Sequence, residues 1–381
     1  MSVCGRLNGQ VPCLARVAVS KGLCLGQCAG PSKVKIMPEK LKVGTATAKR
    51  GELQKGMMKG IELNTTTSID IPVLVMNGMK DGPTLLIVST QHGIEIQGTE
   101  VVLKIMRERI DPKKLRGAII GIPVENPLAY MHHQYLSWID NLDLGGGGSG
   151  SLLTADRPLG GATERLAYAL WQEAWSQADI VINIHCNTRP DSLFFQEINT
   201  GNPKTREKLE RMAKAFGVTT LIVNEPVKDD APSTLANMAA KKGVPDILIE
   251  LIDGRWISEP STSVGVRGVI NIMKTLDMID GQIEPQQGIQ IVQGPCKEWG
   301  IVRANRGGLV RFLKKPGVFM KKDEVFAEIY DLYGDVLERV KMPVDGYTWA
   351  YPCGDILGTN SSLQAVQTGA NVAYVFTEEN K

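Results

Sequence analysis

The feature that most limits what this chain can become is an alternation running from about residue 71 to residue 280. Short apolar runs of strand length (71–76, 84–89, 118–123, 180–184, 219–223 and 247–251) alternate with segments whose apolar residues recur at helical spacing. The helical segments are 98–109, 163–176, 204–216, 233–242 and 264–278. Few polar residues break the strand runs, which is the pattern of strands covered on both faces. Strand and helix alternation predicts an α/β domain: a mostly parallel or mixed sheet with helices on both faces. Near Ile289 the texture changes to strand-like runs punctuated by glycine, such as Gly308-Leu-Val-Arg-Phe-Leu and Val325-Phe-Ala-Glu-Ile-Tyr. Residues 285–381 are therefore expected to form a small all-β domain, following an α/β domain at 37–284.

Before Glu39 there are five basic residues and no acid, together with Cys4, Cys13, Cys24 and Cys28. The segment loosely resembles a transit peptide. The simpler reading, which we adopt, is a poorly structured extension over residues 1–36, with Met37 opening the folded protein. The formal charge of +2 becomes −3 once the five early basic residues are set aside, which gives no reason to expect nucleic acid or an anionic membrane as partner. No apolar stretch approaches the roughly 20 residues needed to span a bilayer. Cys186, Cys296 and Cys353 are dispersed and suit a reducing, cytoplasmic setting better than a disulfide framework. Residues 145–150 read Gly-Gly-Gly-Gly-Ser-Gly, a flexible surface loop by composition that also resembles an engineered linker.

Histidine is scarce, with four in the chain, so each can be weighed. His92 closely follows the strand at 84–89, His185 ends the strand at 180–184, and Glu250 lies near the end of the strand at 247–251. Ligands of open α/β sheets bind outside the carboxyl ends of the strands, where all three residues fall. Hydrolytic zinc takes three nitrogen or oxygen ligands and leaves a position for water; two histidines and a glutamate are one such set. His92-Gly-Ile-Glu95 supplies two ligand types from one tight loop, and His185 comes from another strand. Glu250 would then act as proton acceptor for water. The structural alternatives are a helix cap for His92, a hydrogen-bonded core position for His185, and an ion pair with Arg255 for Glu250. His132 and His133 are adjacent, converge poorly on one ion, and read as loop residues at a site rim.

Beyond single residues, the chain resembles the succinylglutamate desuccinylase/aspartoacylase family, a branch of the zinc carboxypeptidase superfamily, from about Val43 onward. Gly82-Pro-Thr-Leu-Leu-Ile followed by His92-Gly-Ile-Glu95-Ile-Gln-Gly98 is similar to the family's strand and its H-G-D-E-x-x-G loop. Pro123-Val-Glu-Asn-Pro127 resembles its P-x-x-N-P turn, Thr163-Glu-Arg165 its T-E-R, Asn183-Ile-His-Cys186 its D-L-H-T segment, and Ile247-Leu-Ile-Glu250-Leu251 its E-L segment. The resemblance implies a carboxypeptidase-like α/β domain with a lipoyl-like β barrel behind it. It implies one zinc ion on His92, Glu95 and His185, with Glu250 as catalytic base. The implied reaction is hydrolysis of a carbon–nitrogen amide bond in a small N-acylated amino acid or amine, the small-molecule partner of the chain. Alternatives are a metallocarboxypeptidase acting on short peptides and a degenerate zinc-binding member without turnover. Association into a homo-oligomer is left open.

Three departures stand out. Ile94 replaces the family's Asp, Asn183 replaces another, and the D-L-N-R segment, whose Arg grips a substrate carboxylate, reads Asp143-Leu144-Gly145-Gly146. A glycine cannot replace a bidentate Arg fork. Arg157 or Arg189 stands in for it, or the substrate lacks that carboxylate, or the glycine stretch is not the natural sequence. Arg189, Arg157 and Asn126 are the candidate substrate contacts.

Overall fold

The computed structural model describes residues 35–146, 154–187, 192–352 and 364–379. The opening segment, most of the glycine linker, and Arg189 lie outside them. The first half contains β1 (Lys40–Val43), β2 (Ala46–Lys49), β3 (Glu52–Glu62), β4 (Ser68–Asn77), β5 (Lys80–Ser89), α1 (Gln97–Lys104), β6 (Arg116–Ile122), α2 (Pro127–Tyr130) and α3 (Ala162–Glu173). Then come β7 (Ile180–Cys186), β8 (Phe195–Asn199), α4 (Arg206–Phe216), β9 (Thr219–Val223), α5 (Leu235–Lys241), β10 (Asp246–Leu251) and α6 (Glu259–Thr275). The remainder is strand: β11 (Pro295–Arg303), β12 (Gly308–Phe312), β13 (Val325–Tyr330), β14 (Val336–Lys341), β15 (Tyr347–Ala350), β16 (Ala365–Val366) and β17 (Asn371–Glu378).

Eleven strands form one sheet in the order β15-β17-β11-β9-β8-β10-β7-β5-β6-β4-β3. Its centre, β6-β5-β7-β10, is parallel. Both flanks turn antiparallel, at β4 against β6 and at β8 against β10, so the sheet is mixed. The pleat sends successive side chains to opposite faces. Leu85 and Ile87 of β5 join the core beneath α1, α4 and α6, while Leu86 and Val88 join the core beneath α3 and α5. This explains the unbroken apolar run in the sequence: both faces are covered, so both parities are apolar.

Two expectations are refined. The helix expected over 98–109 is an α-helix to Lys104 and then a π turn over Ile105–Arg109, with Ile105 and Met106 still buried. The all-β region after residue 285 divides its strands. β14-β13-β12-β16 make a separate antiparallel sheet around Val310, Phe326 and Ile329, whereas β11, β15 and β17 extend the large sheet. Among the described residues no helix is long and apolar enough to cross a membrane.

Candidate active site

β5 ends at Ser89, and the chain then turns sharply. Thr90 takes a positive φ of 56°, unusual for a β-branched residue, and its hydroxyl hydrogen-bonds to the Glu95 carbonyl at 3.0 Å. Gly93 is required by close approach: a Cβ there would lie 2.1 Å from the Ala129 carbonyl carbon in α2. Gly98, in the first turn of α1, lets the helix sit against the sheet, since a Cβ would meet Ser89 Oγ at 2.2 Å and Ile184 Cγ2 at 2.7 Å. The loop is tied to the segment after β10 by the Ile96 N–H, which donates to the Gly254 carbonyl at 2.7 Å. These constraints hold His92 and Glu95 where β7 delivers His185.

The three side chains meet, and all are buried. Their ligand atoms lie within 4.8 Å of one another. Glu95 is the hub: Oε1 is 2.8 Å from His92 Nδ1, and Oε2 is 3.0 Å from His185 Nδ1. The Cys186 N–H also donates to Oε2 at 3.2 Å. Burial opposes charge on His92, but the Glu95 and Asp143 carboxylates outweigh it and raise its proton affinity. Burial likewise opposes charge on Glu95, and the two histidines beside it outweigh that and lower its pKa. Two imidazoles and a carboxylate, dehydrated and convergent, are a donor set that suits zinc. The His185 Nε2, buried and without a partner, marks an incomplete polar network.

Two neighbours of His92 were not among the sequence candidates as site groups. Tyr135 stacks on its ring at 3.6 Å between centroids. Asp143 Oδ1 lies 3.4 Å from His92 Nε2 and accepts the Gly145 N–H at 2.8 Å. The signal for Asp143 was its place in the D-L segment; Tyr135 carried none.

Glu250 sits across from His185 as its register partner on the adjacent parallel strand. Burial, then repulsion from Glu95, pushes its carboxyl pKa well up. Among the described residues it has no ion-pair partner, so the pairing with Arg255 is not formed. Both His185 and Glu250 open into a cavity of about 530 Å³ on the α5 side of the sheet. Arg157 is placed elsewhere: its side chain is 62% exposed and bonds Glu164 at 3.3 Å. Asn126 caps α2, its Oδ1 accepting the Ala129 N–H at 3.1 Å, while its Nδ2 has no partner. His132 lies at the surface with its ring 4.5 Å from Trp138.

No curated protein matches the sequence. Solved structures do. A succinylglutamate desuccinylase/aspartoacylase from Rhodobacter sphaeroides is 22% identical, with 91% of this chain and 100% of that one covered at a TM-score of 0.71. The product-bound ectoine utilization protein from Ruegeria pomeroyi is 18% identical, with 87% and 98% covered at 0.71. An aspartoacylase family protein from Mesorhizobium loti is 17% identical, with 89% and 100% covered at 0.68. At such identities the likeness establishes the fold. The family model for the succinylglutamate desuccinylase/aspartoacylase catalytic domain matches residues 81–276, just over half of the chain and the whole stretch from β5 to α6 that builds the site. The chain belongs to the succinylglutamate desuccinylase/aspartoacylase family.

Proposed function

We propose that this chain hydrolyses the amide bond of a small N-acylated amine or amino acid, using one zinc ion held by His92, Glu95 and His185. Members of the family are deacylase-type hydrolases. The observation that carries the finer reading is the convergence of three buried donors within 4.8 Å, with Glu250 as the register partner of His185 and a cavity in front of both.

A zinc ion in this site supplies Lewis-acid polarisation of the acyl carbonyl and activation of a water molecule. The protein supplies the rest. Burial and the neighbouring Glu95 raise the basicity of the Glu250 carboxylate, so in its ionised form it accepts a proton from the attacking water and returns it to the leaving nitrogen. Asp143 holds the imidazole of His92 from its far side, as carboxylates do behind metal-binding histidines. Burial of His92, Glu95 and His185 keeps their donor atoms from bulk water.

The test is metal content by elemental analysis for wild type, His92→Ala and His185→Ala, followed by amine release from a panel of N-acyl amino acids, N-acyl amines and dipeptides. Near-stoichiometric zinc in wild type, absent in both variants, with turnover of acyl substrates, supports the reading. Wild-type protein that takes up no zinc on reconstitution, or that cleaves dipeptides in preference to acyl amines, overturns it.

A further inference from the structure

β10 alternates in burial along its length. Ile247, Ile249 and Leu251 are sealed in the core beneath α4 and α6, whereas Asp246, Leu248 and Glu250 line the cavity. At about 3.3 Å per residue, Asp246 lies about 13 Å along the strand from Glu250. The cavity is thus an arm beneath α5 that leads from the His92, Glu95 and His185 cluster to the far end of β10. Its volume of about 530 Å³ is that of a small-molecule site.

The charge in this arm is one-sided. Asp143, Glu197, Asp246 and Glu250 line it, and no Lys or Arg does so among the described residues. Its two histidines are held by Glu95. Acceptors without donors are the second observation. Asn183 lines the arm, is only 7% exposed, and its Oδ1 accepts no hydrogen bond; Asp246 Oδ1 is likewise buried and unpartnered. Buried acceptors left unsatisfied are costly and call for a ligand that brings N–H groups.

Resting on the deacylase reading above, we propose that this arm holds a protonated amine of the substrate against Asp246 and Asn183, so that the substrate is an N-acylated diamine or other amine-bearing amide rather than an N-acyl dicarboxylic acid. Leu248, with Leu235 and Ala240 of α5, gives the aliphatic part of such an arm its apolar contact. The ammonium donates to the Asp246 carboxylate and the Asn183 amide oxygen, which satisfies both orphaned acceptors. Burial holds Asp246 up to about 7, as expected for a carboxylate awaiting a cation. Gly146, beside Gly145 of the cavity lining, stands where the family's segment has its Arg anchor, which fits the same chemistry, since a guanidinium there would repel the ammonium.

The test uses the zinc-loaded full chain and three N-acetyl amides with the same five-carbon arm, ending in an ammonium, a carboxylate or a methyl group. Affinity is read by ligand-induced thermal stabilisation, and amine release is read in the same samples. The expected result is that the ammonium probe binds at least tenfold tighter than the methyl probe, and the carboxylate probe weaker than either. Asp246→Asn should remove the ammonium advantage while leaving the methyl probe within about twofold. Equal binding of the three probes, no binding of the ammonium probe, preference for the carboxylate, or an undiminished advantage in Asp246→Asn overturns the proposal. The charge preference of the wild type stands as a test even if the variant fails to fold. Ammonium-selective binding without amine release would sink the deacylase reading and keep the amine site.

Discussion

His185 and Glu250 are register partners at the carboxyl ends of two adjacent parallel strands, β7 and β10, and open into the same cavity. Adjacent strands in a sheet lie about 4.8 Å apart, so a group bound at His185 stands within reach of the Glu250 carboxyl. Backbone pairing sets this spacing, and both side chains rise from the same face of the sheet.

Glu250→Gln therefore removes the proton acceptor while preserving shape. We expect kcat to fall by about 10²–10⁴ with zinc content unchanged. Steady-state kinetics on the best acyl substrate, paired with elemental analysis, checks this. Loss of zinc in this variant would instead place Glu250 among the ligands.

Asp143 contacts His92 at 3.4 Å and is itself fixed by the Gly145 N–H. Asp143→Asn should weaken zinc affinity about 10- to 100-fold by releasing the orientation of the imidazole. Competition with a chromogenic chelator measures it directly, and an unchanged affinity would mean that Asp143 has no part in holding the ligand.

Gly93 has no room for a side chain against Ala129. Gly93→Ala should cost about 1–3 kcal/mol by forcing the His92 loop off α2. The same displacement should lower zinc occupancy. Thermal unfolding and metal analysis of one preparation read both effects, and a variant matching wild type in each would contradict the tight approach.

Two buried carboxyls set a pH dependence of stability. Burial, with the nearby Asp246, raises Glu125 to about 8 even though the Trp175 indole N–H bonds it; burial alone raises Asp246 to about 7. Both values lie above the unfolded values, so the folded state binds these protons more tightly. The resulting stabilisation is complete below about pH 4 and is lost as pH rises through 7 and 8. The melting temperature should fall between pH 6 and pH 9, and Glu125→Gln should flatten that fall. The gain at pH 9 should reach about 1 kcal/mol or more, equivalent to about 2 °C for a chain of this size. Parallel pH profiles for the two proteins would show that Glu125 is ionised throughout.

Much of the candidate site's geometry was legible in the sequence because its groups terminate strands. His92, His185 and Glu250 each interrupt or follow an apolar run where an imidazole or carboxylate needs a reason to be present. β8 was not foreseen, since Gln196 and Glu197 break its apolar run, yet β10 and β9 hold it on either side. β3 was missed for a different reason: it is the edge strand of the large sheet and carries Lys55, Lys59 and Glu62 toward solvent. Asp143 reaches His92 across 51 residues of chain, a contact that no local pattern encodes. Asp246 falls just outside the apolar run at 247–251 and carried no signal; its position on the cavity face follows from parity, visible only once β10 has neighbours.

That parity has an evolutionary consequence. Positions 247, 249 and 251 hold the sheet together, and positions 246, 248 and 250 meet whatever enters the cavity. Point substitutions at the second set can redirect what is recognised without loosening the first. Insertion of a single residue into β10 would exchange the two roles at a stroke, sending carboxylates into the core and isoleucines into the cavity. The strand is free to drift in chemistry but fixed in length.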